Sequence, residues 1–190
     1  MESSDHSGWE VRRVRADEWR ALRDIRLEAL KDTPIGFGER YEDALAKPDD
    51  DWRERARRDA EAAHTALFAA FDPSGRIVGT TGTFTKADSV LTDGRELVIY
   101  GVYVTPGQRG ARRGVDRHSV DQPGVASLLF DAAIAWAREA GGADVITLSV
   151  HERNERAHAF YRRYGFADTG VRTPYNLDET ALLIEMRFEG

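Results

Sequence analysis

The chain has 190 residues, of which 41% are hydrophobic, and a formal net charge of −6 at pH 7. This length and composition predict one domain with a sizeable core. The acidic balance argues against general nucleic-acid binding, which usually needs a net basic face, and favours a cationic small substrate. The chain has no cysteine, so disulfides, thiolate nucleophiles and cysteine-ligated zinc sites are excluded.

The chain begins with MESSDHSGWE, which lacks the basic and apolar segments of a signal peptide, and no later run is apolar over the length of a membrane span. We therefore expect a cytoplasmic protein that does not associate with a membrane. We expect a flexible tail over residues 1–8 and a single domain over residues 9–190.

The first half of the chain predicts two helices and three strands. In order, these are a strand over residues 9–14, a helix capped by Asp17 and ending at Thr33, an irregular segment over 34–45, a helix beginning near Pro48, and a hairpin of strands 65–71 and 76–84. The first helix has an apolar stripe at helical spacing, made of Trp19, Leu22, Ile25 and Leu30. The second helix has few apolar positions, so we expect it to lie on the surface.

The second half predicts alternating strands and helices. After a turn at Asp93-Gly94 come a strand over residues 96–104, a helix over 124–140, a strand over 144–150, a short helix closed by Gly165, and two last strands over 166–171 and 181–188. In the long helix, the apolar residues that recur at helical spacing are Val125, Leu128, Leu129, Ala132 and Trp136. This helix and the strands on either side of it form a βαβ unit with parallel strands, and ligands favour the carboxyl ends of such strands.

Three motifs lie around this βαβ unit. They are VYVTP over residues 102–106, a glycine-containing turn split between residues 109–111 and 124–126, and NERAHAFYRRYGF over residues 154–166. Together with the order of the elements, they resemble the GCN5-related N-acetyltransferase (GNAT) superfamily. The resemblance implies a mixed α/β fold, with a central twisted sheet of about seven strands flanked by about four helices. It also implies that the parallel strands 4 and 5 splay apart, and that acetyl-CoA is the co-substrate.

The first motif ends the central strand. In the family this strand separates from its parallel neighbour, and its free backbone groups pair with the pantetheine amides of acyl-CoA. The resemblance assigns these groups to Val102, Tyr103 and Val104. A backbone N–H at Tyr103 or Val104 is also the candidate that stabilises negative charge on the thioester oxygen. An ordinary core strand is the alternative.

The second motif resembles the turn that holds the cofactor pyrophosphate through backbone amides and a helix N-terminus. Its first half matches Arg109, Gly110 and Ala111, and its second half matches Gly124, Val125 and Ala126. A charged insertion over residues 112–123 separates the halves, at a loop-closure cost of about 1–2 kcal/mol. The helix begins either at Gly124, with its first amides free, or after Asp121, with Pro123 in its first turn. The arginines of the insertion, Arg112, Arg113 and Arg117, either bind the CoA phosphates or belong to a solvated flap.

The third motif places Asn154 and Tyr161 about two helical turns apart, with Ala157 between them on the same face. In the family, the Asn contacts the pantetheine arm, the small Ala lets that arm lie close, and the Tyr hydroxyl protonates the leaving thiolate. A phenol suits this task because it is protonated at neutral pH. Packing in the core, like that of Phe160, is the alternative for Tyr161.

An amine must be neutral to attack a thioester, so a base or a chain of waters must accept its proton. Glu96 is our candidate base, because it begins the central strand and shares the alternate face of Tyr100 and Val102. Tyr100, acting through a water, is a second candidate, and an exposed strand-start glutamate is the alternative for Glu96. His151 and His158 have no accompanying ligand cluster, so we predict no metal site.

In relatives, the acceptor enters beside the first two helices and the last pair of strands. The resemblance therefore assigns the acceptor pocket to Phe37, Glu39 and Tyr41 in the segment GFGERY, and to Tyr175. Tyr100 lies nearer the expected cleft. Packing of an aromatic-rich loop is the alternative for these residues.

The leading function is transfer of an acetyl group from acetyl-CoA directly to a primary amine in a ternary complex, since the chain lacks the thiol that a cysteine acyl-enzyme needs. A small-molecule amine is the favoured acceptor. One alternative is a non-catalytic module of the same fold that senses acyl-CoA or binds a partner. Another is an acetyltransferase for protein N-termini or lysines. The resemblance also leaves a homodimer open.

Overall fold

The computed structural model describes residues 9–86, 96–110, 124–139 and 142–190. In chain order, the elements are β1 (Glu10–Arg13), α1 (Trp19–Asp32), α2 (Tyr41–Leu45), α3 (Asp49–Glu61), β2 (Thr65–Phe71), β3 (Ile77–Lys86), β4 (Glu96–Val104), α4 (Val125–Glu139), β5 (Val145–His151), α5 (Glu155–Tyr164), β6 (Phe166–Tyr175) and β7 (Asp178–Phe188). Within these ranges, no helix is long and apolar enough to cross a membrane. The predicted tail, the turn at Asp93-Gly94 and the insertion over residues 112–123 lie outside the described residues.

The strands form one seven-stranded sheet in the order β1-β2-β3-β4-β5-β7-β6. Every neighbouring pair is antiparallel except β4 and β5, which are parallel and are joined through α4. The predicted mixed α/β fold and its βαβ unit are therefore confirmed.

Helices cover both faces of the sheet. On one face, α1 and α3 bury Trp19, Leu30 and Trp52 in a cluster that also contains Tyr103 of β4. On the other face, α4 and α5 pack against the sheet around the fully buried Phe130. Each large apolar side chain buried in this way stabilises the fold by about 1.5–3 kcal/mol. The two cores hold the sheet between them, so the position of β4 relative to β5 is fixed from both sides.

The first half of the chain differs from the predictions in three details. Asp17 does not cap α1, because it lies in a 3₁₀ turn over Ala16–Glu18, where the Glu18 carboxylate accepts the Arg15 N–H at 2.8 Å. The segment predicted to be irregular contains a fifth helix, α2, whose five residues are too few to give a periodic signal. Helix α3 is not entirely on the surface, because a narrow stripe that includes Trp52 is buried.

The second half also differs in two places. The buried positions of α4 are Val125, Leu129, Phe130, Ala133, Ile134 and Ala137, so the buried face is broader than the predicted stripe and is rotated from it. The reason is that α4 is covered on two sides, by the sheet and by the rings of α5 that surround Phe130. The last two strands are longer than predicted: β6 ends at Tyr175 and β7 begins at Asp178. The prediction was too short because the edge strand β6 is mostly exposed and shows no apolar alternation.

Candidate active site

Strands β4 and β5 pair only along their first halves. Their parallel register runs from Glu96 opposite Val145 to Ile99 opposite Leu148, and no pairing follows, although both strands continue. The predicted splaying of the fourth and fifth strands is therefore confirmed. A cavity of about 930 Å³ occupies the split and is lined by both strands, the first turn of α4, helix α5 and the segment 33–38. This volume is at the upper end of the range for ligand and cofactor sites.

A β-bulge redirects β4 where the split begins. Two residues, Gly101 and Val102, stand opposite the single residue Thr81 of β3. Gly101 has a φ of +63°, which glycine adopts without the penalty of a Cβ atom. The bulge reverses the alternation of side chains: Tyr100 lies on the α1 and α3 side, whereas Val102 packs against the core of α4 and α5. The prediction that Glu96, Tyr100 and Val102 share one face is therefore wrong at Val102.

Backbone groups of β4 beyond the bulge face the split. The Thr105 N–H donates to the Val78 carbonyl at 2.9 Å, so Tyr103, two residues earlier, also directs its backbone groups toward β3. The intervening Val104 therefore directs its N–H and C=O toward the cleft. Of the two candidate donors at Tyr103 and Val104, the second has the orientation to meet a ligand. The Tyr103 side chain points away, and its hydroxyl donates to Glu28 at 3.1 Å.

The side chain of Arg109 is held by the protein itself. Its Nε donates to the Val104 carbonyl at 2.7 Å, its guanidinium pairs with Asp32, and it lies over the Tyr103 ring. Hydrogen bonding from Arg109 is the main reason that the pKa of Asp32 lies below its ordinary value. Arg109 thus ties the end of β4 to α1. Gly110, with a φ of +67°, lines the cavity, whereas Ala111 lies outside the described residues.

The first turn of α4 opens onto the cavity. The helix begins at Val125, and its first i to i+4 bond runs from the Leu128 N–H to the Gly124 carbonyl at 3.2 Å. This corresponds to the first of the two predicted registers. The N–H groups of residues 125–127 precede that bond and have no partner within the helix. Gly124, Val125 and Ala126 all line the cavity, at the positive end of the helix dipole.

The three residues of the α5 motif line one wall of the cavity. Asn154 is the N-cap of α5 rather than a residue of its first turn, and its Oδ1 accepts the Ala157 N–H at 3.2 Å. This bond commits the amide oxygen, so the amide Nδ2 is the group that remains to donate to a ligand. Gly165, with a φ of +114°, ends the helix as predicted.

Tyr161 is 7% exposed and packs against Phe130 and Phe160, with ring centroids 5.6 and 5.7 Å away. Its hydroxyl makes no hydrogen bond to any residue in the described ranges. Burial raises the pKa of the phenol above its ordinary value, so Tyr161 is protonated at neutral pH. The ring therefore belongs to the core, and its hydroxyl keeps its proton at neutral pH.

Glu96 is not brought into this site. It lies at the amino end of β4, roughly 13 Å along the strand from Tyr100, and it is not among the residues that line the cavity. Its carboxylate accepts hydrogen bonds from Thr147 Oγ1 at 2.8 Å and Lys86 Nζ at 3.2 Å. At 1% exposure it is not an exposed strand-start glutamate either. The geometry gives the predicted base role no support.

Three of the predicted acceptor residues line the same cavity: Phe37, Tyr100 and Tyr175. The Tyr175 hydroxyl donates to the Phe37 carbonyl at 2.6 Å. The Tyr100 ring lies against the Gly82 backbone, where an added Cβ would be 2.4 Å from Cζ, and burial raises the pKa of its phenol.

The other two predicted acceptor residues, Glu39 and Tyr41, face a separate depression on the surface. The Glu39 carboxylate is engaged by Arg26, Lys47 and Arg55. Burial alone would raise its pKa, but hydrogen bonds from Lys47 and Arg26 outweigh burial, so the pKa of Glu39 lies below its ordinary value. Glu39 therefore does not line the large cavity, and its charge is balanced by neighbouring cations.

Sequence reasoning missed three residues at the cavity: Arg26, Gly101 and His151. A glycine inside a strand is a recognised sign of a bulge, so Gly101 had a usable signal. His151, one residue beyond the strand predicted over residues 144–150, ends β5 and packs edge-on against Tyr175 with ring centroids 4.9 Å apart. Its Nδ1 accepts the Arg153 N–H at 3.1 Å. In the described part of the chain, no three His, Asp or Glu residues are grouped to hold a metal ion.

The sequence over residues 121–166 matches the family model of the acetyltransferase (GNAT) family. No curated protein sequence matches the chain. Among solved structures, a GNAT-family acetyltransferase from Streptococcus pneumoniae aligns with a TM-score of 0.72 and 15% identity, over 94% of this chain and 97% of that one. The yncA protein of Salmonella typhimurium, solved with acetyl-CoA, aligns with a TM-score of 0.68 and 16% identity, over 96% and 94%. Nourseothricin acetyltransferase aligns with a TM-score of 0.52 and 25% identity, over 66% of this chain and 65% of that one.

The matched segment contains the second half of the glycine turn, helix α4, strand β5 and the α5 motif. The structural alignments extend the likeness in fold to nearly the whole chain. These findings agree with the resemblance predicted from the three motifs: one segment of the chain matches the GNAT family model, and the chain as a whole has the fold of GNAT acetyltransferases.

Proposed function

We propose that this protein transfers an acetyl group from acetyl-CoA to a primary amine of a small molecule, by direct attack in a ternary complex. The observation that carries the proposal is the split between β4 and β5. Its open backbone edge, the first turn of α4 and the buried Tyr161 line one cavity. Such a cavity suits a long ligand that has phosphates at one end and a thioester further along.

The residues along the split fit acyl-CoA. The N–H groups of the first turn of α4, which have no partner within the helix, would hold the pyrophosphate, where the helix dipole favours negative charge. The backbone of β4 and the Asn154 Nδ2 would pair with the pantetheine amides, as an added strand would. Ala157 leaves room for that arm because its side chain is one methyl group.

The proposed reaction needs one acceptor, for the proton that the amine loses. The amine nitrogen forms a bond to the thioester carbon, the carbon–sulfur bond breaks, and the proton of Tyr161 goes to the leaving sulfur. The proton of the amine goes to solvent through water, and Tyr161 is then reprotonated. The Val104 N–H, which faces the cleft, is the proposed donor to the negative oxygen.

A small acceptor is favoured because hydrogen bonds between distant segments bridge one side of the cavity. The segment 33–38 lies over the split, and hydrogen bonds from Tyr175 and Asn176 hold it against the β6–β7 hairpin. Nourseothricin acetyltransferase, whose name states a small-molecule acceptor, shares the fold. A peptide chain would need this side to be open.

The test is calorimetric titration of the full chain with acetyl-CoA, followed by measurement of CoA thiol release with a panel of small amines. We expect saturable acetyl-CoA binding and amine-dependent thiol release. The same titration of a chain that lacks residues 112–123 tests whether that insertion contributes to donor binding. Absence of acetyl-CoA binding in the full chain would refute the proposal.

A further inference from the structure

The charged residues around the acceptor side are unevenly distributed. Within the described ranges, four arginines line the large cavity, and neither an aspartate nor a glutamate does: they are Arg26, Arg109, Arg156 and Arg163. Arg109 is already paired with Asp32, and Arg156 and Arg163 belong to α5, on the wall proposed for the donor. Arg26, on α1, is the arginine that lies beside the proposed acceptor residues Phe37 and Tyr100.

The guanidinium of Arg26 has unused hydrogen-bonding capacity. Its Nε and Nη2 both donate to Glu39 Oε2, at 3.1 and 2.8 Å, and its Nη1 makes no hydrogen bond to any described residue. The guanidinium lies over the Phe37 ring, 4.5 Å from the centroid, and the side chain is only 16% exposed. A half-buried donor of this kind gains most when a ligand supplies an acceptor oxygen.

Charges behind Arg26 leave this region net positive. Arg26, Lys47 and Arg55 surround the single carboxylate of Glu39. Asp59, which lines a small adjoining cavity, is in turn paired with Arg55 and Arg58. Four cations therefore stand against two carboxylates, which gives a local charge of +2, although the chain as a whole carries −6. The charge of the whole chain is thus a poor guide to the charge of the acceptor.

We infer that the acceptor carries a carboxylate, which accepts a hydrogen bond from Arg26 while the amine of the same molecule is acetylated. The inference rests on the proposed acetyl transfer and names the class of its substrate: amino acids. An anionic oxygen would accept a hydrogen bond from Nη1 and reduce the repulsion between the guanidinium groups of Arg26 and Arg55. A polycationic amine would increase that repulsion instead.

The test compares acceptors that differ only in the anionic group. L-leucine and L-leucinamide form one pair, 4-aminobutyrate and 4-aminobutyramide form a second, and spermidine represents the polycations. CoA thiol release by the full chain gives kcat/KM for each, corrected for the fraction of free amine because an amide lowers the pKa of a neighbouring amine. We expect the carboxylate member of at least one pair to be preferred by about tenfold or more, as a charge-assisted hydrogen bond implies.

Three variants assign that preference to Arg26. Arg26→Met removes the guanidinium and keeps much of the volume, and we expect it to abolish the preference through a higher acceptor KM, with acetyl-CoA affinity unchanged. Arg26→Lys should retain part of the preference because it keeps the charge. Arg20→Met, an exposed position on the same helix, should behave like the wild type. Circular dichroism and acetyl-CoA titration check the fold of each variant. If Arg26→Met does not fold, the comparison of carboxylate and carboxamide acceptors with the wild type still tests whether the acceptor is anionic.

The outcomes separate the two proposals. Preference for the carboxamides or for spermidine would overturn the anionic acceptor and leave the transfer reaction intact. A carboxylate preference that survives in Arg26→Met would overturn the role of Arg26. Tight acetyl-CoA binding without acetylation of any amine in the panel would overturn the proposed transfer reaction, and the anionic acceptor with it.

Discussion

The hydroxyl of Tyr175 donates to the backbone carbonyl of Phe37 at 2.6 Å, which joins the β6–β7 hairpin to the loop after α1. A second bond runs in parallel, from Asn176 Nδ2 to the Gly38 carbonyl at 2.9 Å. These bonds hold one side of the cavity closed between segments that are distant in sequence. They fix the position of the Phe37 ring, and through it the position of the Arg26 guanidinium that lies over that ring.

Tyr175→Phe removes the first of these bonds and keeps the ring. We expect a loss of about 0.5–1.5 kcal/mol in the free energy of unfolding, and a several-fold higher acceptor KM because the Phe37 wall is less firmly held. Urea unfolding and steady-state kinetics measure the two effects. Tyr41→Phe, outside the cavity, is the matched control and should change neither quantity. A weaker acetyl-CoA affinity with an unchanged acceptor KM would contradict this role.

Tyr161→Phe tests the proposed acid. Loss of the phenol proton should lower kcat by about 10²–10⁴-fold, with little change in acetyl-CoA affinity, because the ring still fills the core. Since burial raises the pKa of Tyr161, the wild type should not lose activity through its ionisation at any pH below about 10. Tyr164→Phe, where the hydroxyl donates to Asp131 instead, is the control on the same helix. Full turnover of Tyr161→Phe at every pH would exclude the acid role.

Ala157→Leu tests the proposed path of the donor. Ala157 lines the cavity, so three added carbons would occupy the space proposed for the pantetheine arm. We expect the acetyl-CoA Kd, measured by calorimetry, to rise by about tenfold or more, because a clash of this kind costs at least 1–3 kcal/mol. Ala159→Leu makes the same change at an exposed position of α5 and should leave the Kd unchanged. Equal affinity of both variants would place the donor elsewhere.

Much of the fold was predictable because its signals are local. The stripe of α1, the turn of the β2–β3 hairpin and Gly165 at the end of α5 each depend on residues close in sequence. The N-x-x-A-x-x-x-Y spacing likewise put Asn154, Ala157 and Tyr161 on one wall, because helical geometry determines that face.

The site residues that sequence could not place depend on contacts between distant segments. The resemblance assigned Glu39 to the acceptor pocket through the position of the segment GFGERY, but its surroundings are set by Arg26 of α1 and Arg55 of α3. Arg26 itself had no signal, since an arginine beside an apolar helical stripe is usually solvated. The predicted alternation of side chains along β4 failed at Val102 because a bulge adds one residue to the strand. Periodicity in the sequence does not show where such an extra residue lies.

Gly101→Ala tests the bulge. No atom would clash with the added Cβ, but a φ of +63° is strained for alanine, so we expect a loss of about 1–2 kcal/mol in the free energy of unfolding. Acetyl-CoA affinity should fall as well, because the bulge sets which backbone groups of β4 face the cleft. Gly107→Ala, also in open space but without a positive φ, is the control. Unchanged stability and affinity in Gly101→Ala would mean that the bulge is not needed.

Glu96→Gln decides between a structural and a catalytic role for this buried carboxylate. Glutamine still accepts the hydrogen bond from Thr147, but it cannot form the ion pair with Lys86 or take up a proton at neutral pH. Because Glu96 lies outside the cavity, we expect the pH profile of kcat to be unchanged, with only a change in the free energy of unfolding. Lys86→Gln removes the same ion pair from the other side and should also leave the pH profile of kcat unchanged, but it should destabilise the fold more because it takes the Lys86 cation away from a buried carboxylate. A fall in kcat of about 10²-fold or more, with loss of the acidic limb of the profile in Glu96→Gln alone, would instead establish Glu96 as the base, reached through water.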